Sequence, residues 1–180
     1  MALDIFAISL IVSILFCSLV AGLLFGFAVV VMPGIAGLSN RDFLISFKQM
    51  DGIIQNNQPV FMSVWLGSIA AIMATSIQGV QNLGASQTNL LLLGLAFYLL
   101  GVQLPTARFN IPLNNQLQNM DLMKMEESEL AVFRSKFETK WNFWNRFRVL
   151  NSILSVKALL FLLFLSLIHI SEPTRRYAIS

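Results

Sequence analysis

Charge is scarce in this chain. Asp, Glu, Lys and Arg make up 12% of its 180 residues, about half the roughly 25% usual in soluble domains. Hydrophobic residues reach 56% and the mean hydropathy is +0.71. So much apolar surface excludes an ordinary soluble globule. The chain needs lipid as its solvent. The net charge of +3 is small, and no basic stripe interleaved with aromatics occurs, so a nucleic-acid partner is not expected.

Metal-binding and nucleophilic side chains are equally sparse. Cys17, the one cysteine, sits inside an apolar run and reads as a small buried hydrophobe. The one histidine, His169, falls in the string LSLIHISEPTR from Leu165 to Arg175. That string is the one-frame translation of the end of a transposase-based sequencing adapter. A short variable index would encode Arg176, Tyr177 and Ala178, and fixed adapter sequence would resume as Ile179-Ser180. Residues 165–180 are therefore expected to be adapter read-through, and residues 1–164 a single membrane domain. His169 then drops out as a ligand, leaving ten basic and eight acidic residues. No cluster of His, Cys and carboxylates suggests a metal site. There is no Gly-rich dinucleotide loop or P-loop, and no Ser-His or Cys-His pair. No cofactor and no metal are expected.

What the chain does have is long apolar runs. One extends from about Leu3 to Met32 and ends at Pro33-Gly34; the others cover about Pro59–Ile77, Leu90–Leu104 and Val149–Phe164. Helix is the form that satisfies such a backbone in lipid, and about 20 residues cross the hydrocarbon layer. The fold class is all-α, a four-helix transmembrane bundle with amphipathic helical segments in loops one and three. Asp121 to Phe164 contains no Pro or Gly and reads as one long helix. Lys157, inside its apolar part, is expected to face the bundle or a polar partner. Ser18, Gly22 and Gly26 in helix one, with Gly67/Ala71 and Ala70/Ala74 in helix two, form small-residue stripes. Packing within one bundle is the favoured reading of these, and a homo-oligomer the alternative.

Loops one and three carry nine basic residues, whereas the N-terminus and loop two carry none. The positive-inside rule puts loops one and three in the cytoplasm and the N-terminus outside, in a plasma or inner membrane.

Polar residues gather in three places. Loop one holds Lys48, Asp51, Gln55, Asn56, Asn57 and Gln58, with Asp51 and Gln55 on one helical face. A solvated amphipathic helix would explain this equally well. Arg108, Asn110, Pro112, Asn114 and Asn115 follow the third apolar run, where they would serve simply to cap and turn the chain. Trp141, Asn145 and Arg148 share one face entering the membrane, beside Trp144. An aromatic belt explains the tryptophans but not the inward asparagine and arginine. Arg148 there needs a partner, for which Asp51 is the choice and Arg108 its rival for that carboxylate.

Pro33-Gly34, MDGIIQNNQPVFM (Met50–Met62), NIPLNN (Asn110–Asn115) and W-x-x-W-N-x-x-R (Trp141–Arg148) resemble the anthrone-oxygenase family. The resemblance implies a four-helix membrane protein and, for some fungal members, oxidation of anthrones to anthraquinones by molecular oxygen. It places the family's polar positions on Asp51, Gln55, Asn110, Pro112, Asn114, Trp141, Asn145 and Arg148, with Asn in many relatives where this chain has Asp51.

Without cofactor-binding motifs, any oxygenase here is expected to work unaided. Asp51 would be the base, and Asn110, Asn145 or Arg148 would steady an enolate oxygen. Trp141 and Trp144 would face a flat ring, with Gln55 and Asn114 completing the site. The leading expectation is binding of a lipophilic or aromatic small molecule, or a structural role. Oxygenase chemistry and small-molecule transport are the alternatives. A cavity shared by Asp51, Asn110, Asn145 and Arg148 would favour a ligand, and full mutual satisfaction of those groups a purely structural network.

Overall fold

The computed structural model describes residues 5–176, with side chains described through residue 166. Its order is α1 (Ile5–Gly26), a π-helical segment (Phe27–Val31), α2 (Met32–Ala36), α3 (Asn40–Gln55), α4 (Pro59–Asn82), α5 (Ala85–Tyr98), π segments at Leu99–Gln103 and Thr106–Asn110, α6 (Ile111–Gln118) and α7 (Glu127–Arg176). The fold is all-α. Among the described residues four continuous helical stretches are long and apolar enough to cross a bilayer: Ile5–Ala36, Pro59–Asn82, Ala85–Gln118 and Glu127–Ser166. In the bundle α1 packs on α4 and α7, and α5 on α7 and α4.

The first and third stretches run past the prolines that the sequence offers as stops. Pro33, Pro105 and Pro112 do not end their helices. Each lies two residues after a π-helical segment: Phe27–Val31, Leu99–Gln103 and Thr106–Asn110. A proline ring clashes with the carbonyl four residues earlier and offers that carbonyl no N–H. Those carbonyls belong to Val29, Gly101 and Arg108, the middle residue of each segment. Widening the turn there moves the carbonyl aside and lets the helix continue. The polar run after Pro105 is therefore helix rather than a turn.

At ~1.5 Å per residue the 34-residue third stretch is about 50 Å long, well beyond a ~30 Å hydrocarbon layer. The surplus builds a cap with α2 and α3. Two cores result. The bundle core includes Leu10, Cys17, Ile72, Leu91, Tyr98 and Leu159. The cap core includes Phe43, Phe47, Leu117, Leu130, Phe137 and Trp141. α3 starts at a Ser39 cap whose Oγ accepts from the Asp42 N–H, and α4 at Gln58, whose Oε1 accepts from the Phe61 N–H before Pro59 fixes the first turn.

Basic side chains tie the cap's backbone together. Arg41 donates to the carbonyls of Leu122 and Met125, and Lys48 to that of Met120. Arg134 donates to those of Ala36 and Leu38 and lies over the Phe43 ring at 4.3 Å. Asp121–Glu126 is this tied loop, so the last helix starts at Glu127 rather than at Asp121.

Two further expectations are corrected. Lys157 is exposed on the outside of α7, because Asn151, Ser155, Ala158 and Leu162 take the inward positions. Gly22 and Gly26 have no neighbour near their Cα, so that stripe does not pack within the bundle. In the helix-two stripe Gly67 does pack closely, on Phe16, and further close approaches are Gly79 on Leu91, Gly94 on Ala158 and Gly101 on Asn151. His169 lies outside the described side chains, as does most of the segment read as adapter. α7 itself continues across Leu165.

Candidate functional site

α3 buries Phe43, Leu44, Phe47 and Asp51, which share one face at helical spacing. Asp51 thus occupies a core position and is 4% exposed. Its Oδ1 accepts from Asn114 Nδ2 at 2.7 Å, and its Oδ2 from Gln118 Nε2 at 2.8 Å and Gln55 Nε2 at 3.4 Å. Burial pushes its pKa above the ordinary 3.8, and the three amide donors offset this in part.

The facing strip is Asn110, Asn114 and Gln118, at four-residue steps from the third π segment into α6. Asn114 uses both ends of its amide. While its Nδ2 donates to Asp51, its Oδ1 accepts from Trp141 Nε1 at 2.9 Å. Asn110 differs. It is 2% exposed, and neither its Oδ1 nor its Nδ2 has a hydrogen-bond partner. Buried amides are almost always paired.

From α7 come Trp141, Asn145 and Arg148, all buried. Asn145 donates to the Leu24 carbonyl at 3.1 Å and accepts from an Arg148 guanidinium N–H at 2.9 Å. Arg148 also donates to Thr106 Oγ1 at 3.0 Å, while its Nε has no acceptor. It makes no ion pair among the described residues, where the salt bridges are Lys124–Asp121 and Arg134–Glu138. The expected Asp51–Arg148 pair is not formed. Three side-chain amides surround Asp51 instead, and a hydroxyl and an amide serve Arg148.

Asp51 and Arg148 nevertheless face one cavity of about 280 Å³, near the lower end of small-molecule sites, roughly 300–1,000 Å³. Its polar wall is Asp51, Gln55, Asn57, Thr106, Asn110, Asn114, Asn145 and Arg148. Its apolar wall includes Leu23, Phe27, Phe47, Phe61, Trp65 and Trp141. The cavity lies where the bundle core meets the cap core. Beside it, a second cavity of about 240 Å³ between α1 and α4 is apolar throughout and shares Leu23, Phe61 and Trp65 with the first.

Seven of the eight site residues proposed from the sequence therefore line one space. Trp144 does not. It stacks on Phe109 at 3.6 Å, away from that cavity. Three residues beyond Trp141, it is turned toward the Phe109 ring of the third π segment. Arg108 is also outside, exposed and over the Phe109 ring. Gln118 and Thr106 were not anticipated. Gln118 follows Asn114 by four residues, a readable signal; Thr106 follows a proline taken as a stop.

The family model for anthrone oxygenase matches residues 52–158, more than half of the chain. This chain belongs to the anthrone oxygenase family. The matched stretch holds Gln55, Asn110, Asn114, Trp141, Asn145 and Arg148 but starts one residue after Asp51 and omits α1. No curated protein and no solved structure matches this anthrone-oxygenase family member. Among its described residues no three His, Cys, Asp or Glu side chains come together as a metal-ligand set.

Proposed function

We propose that the cavity binds a flat lipophilic molecule with one oxygen-bearing edge. Asn110 carries this reading. An amide both buried and unpartnered costs about 1–3 kcal/mol, and a ligand that accepts from Nδ2 and donates to Oδ1 would recover it. The free Nε of Arg148, on the same wall, adds a second donor. Aromatic faces at Phe61, Trp65 and Trp141 suit a ring system, and the apolar groove between α1 and α4 would admit it sideways from the bilayer.

The family name favours a second, more specific reading in the same cavity, oxygenation of an anthrone-like substrate. Asp51 would remove the acidic ring-methylene proton, leaving an enolate whose oxygen faces Asn110 and Arg148. The carbanion carbon would give electrons to molecular oxygen and form a C–O bond. The hydroperoxide would then lose water to leave a second carbonyl, so one substrate and one oxygen give one quinone and one water. The cap, carrying the basic residues, would lie on the cytoplasmic side, and the outward Gly22/Gly26 face would be open to a second copy.

Oxygen uptake by the full chain in lipid nanodiscs, with an anthrone added, tests the chemistry. Uptake above empty nanodiscs that is lost in Asp51→Asn is expected. Equal rates in wild type, variant and empty discs would leave binding alone.

A further inference from the structure

A second polar recess lies on the outer face of the cap. It measures about 210 Å³ and is lined by Arg108, Phe109, Pro112, Leu113, Gln116, Lys140 and Trp144. It shares no residue with the central cavity. Its floor is the parallel stack of Phe109 on Trp144, 3.6 Å apart with 6° between the planes. Two cations border it and no acidic side chain does. Arg108 and Lys140 are exposed, and neither forms an ion pair among the described residues. Arg108 lies over the Phe109 ring, 5.8 Å from its centroid.

Its height on the molecule decides what it could meet. Along α7, the exposed residues on the membrane side are Leu150, Ile153, Leu160, Phe161 and Phe164, with Lys157 the one charge among them. On the cap side they become Lys136 and Lys140. Phe143, Trp144 and Phe147 form the aromatic ring between them, the usual mark of a headgroup layer. On the neighbouring span, exposed Leu100 and Leu104 give way to Arg108 at the same transition. Arg108 and Lys140 therefore stand at headgroup depth, with an apolar aromatic floor between them.

We infer that this recess holds the phosphate of an anionic phospholipid. Arg108 and Lys140 take the phosphate oxygens, since guanidinium and ammonium are the side chains suited to that anion. The Phe109–Trp144 floor takes the glycerol and upper acyl carbons. A choline headgroup would place a third cation against two, so the recess selects against zwitterionic lipid. The same two cations would also accept a free phosphate ion. The apolar floor and the headgroup depth favour the lipid.

The experiment is native mass spectrometry of the full chain released from nanodiscs of equal phosphatidylglycerol and phosphatidylcholine. The wild type should retain phosphatidylglycerol, and Arg108→Gln with Lys140→Gln should lower that enrichment roughly tenfold, a few-fold per basic group. Exchanging the two cations, Arg108→Lys with Lys140→Arg, should preserve it. Lys124→Gln with Lys136→Gln removes as much charge elsewhere on the cap and should leave it intact. An equal loss in that control pair, or no loss in the first, overturns the proposal. So does displacement of the lipid by millimolar inorganic phosphate, which would mark a soluble-anion site.

Discussion

Asp51 and Trp141 are joined through a single side chain, since Asn114 donates to the carboxylate at 2.7 Å and accepts from the indole at 2.9 Å. This link fixes α3 to α7 across α6, and with them the polar end of the cavity. Asn114→Leu removes both bonds and leaves a buried indole N–H unpaired. A loss of about 2–4 kcal/mol is expected from two such bonds, read as a lower unfolding midpoint in denaturant titration in detergent. Asn114→Asp would keep the acceptor for Trp141 but put two carboxylates in contact, so that variant should recover stability as pH falls.

Asp51 also predicts a pH dependence of known sign. Its pKa is raised above the ordinary 3.8 in the fold because burial disfavours the charged form. The folded chain therefore binds the proton more tightly than the unfolded one. This contribution to stability is complete below about 3.8 and is lost as pH rises through the folded value. Thermal unfolding of wild type against Asp51→Asn across that range should show the slope only in the wild type. Any base-dependent oxygen uptake should move the opposite way, rising with pH as the carboxylate forms.

Arg148 is surrounded by neutral partners, Thr106 and Asn145, and keeps one N–H free toward the cavity wall. If it steadies developing negative charge, Arg148→Met should cut anthrone-dependent uptake by roughly 10²–10³. Arg148→Lys should restore little, because an ammonium cannot serve both partners and the cavity at once. The measurement is initial oxygen uptake at saturating substrate.

Glycine positions separate close packing from open surface. A Cβ at Gly101 would run into Asn151 of α7, whereas at Gly22 it would meet nothing. Gly101→Ala should cost about 1–3 kcal/mol. Gly22→Ala should raise stability by about 0.5–1 kcal/mol through helix propensity. Unfolding of both variants in detergent checks this pair of opposite signs.

The spans and the shared face of Trp141, Asn145 and Arg148 were legible because apolar length and helical spacing are local properties. The meeting of Asp51 with Asn114 was legible only as two polar clusters on one side of the membrane. Other features depended on tertiary structure. Proline read as a stop at Pro105, although a widened turn before it lets the helix proceed. Arg148 read as needing a carboxylate, although a hydroxyl and an amide serve it. Lys157 read as inward, although the residues around it had already taken every inward position. Asn110 was singled out as polar. Only the packed structure shows that its amide is enclosed with nothing to bond.

The central claim is that this enclosed amide awaits a ligand. Trp65 and Trp141 line the cavity, so tryptophan fluorescence of the chain in nanodiscs, titrated with an anthraquinone, reports occupancy directly. Saturable quenching, weakened tenfold or more by Asn110→Leu, is the expected result, about 1.4 kcal/mol or more of binding energy. Linear, unsaturable quenching that is the same in both proteins would contradict it, leaving only a ligand dissolved in the surrounding lipid.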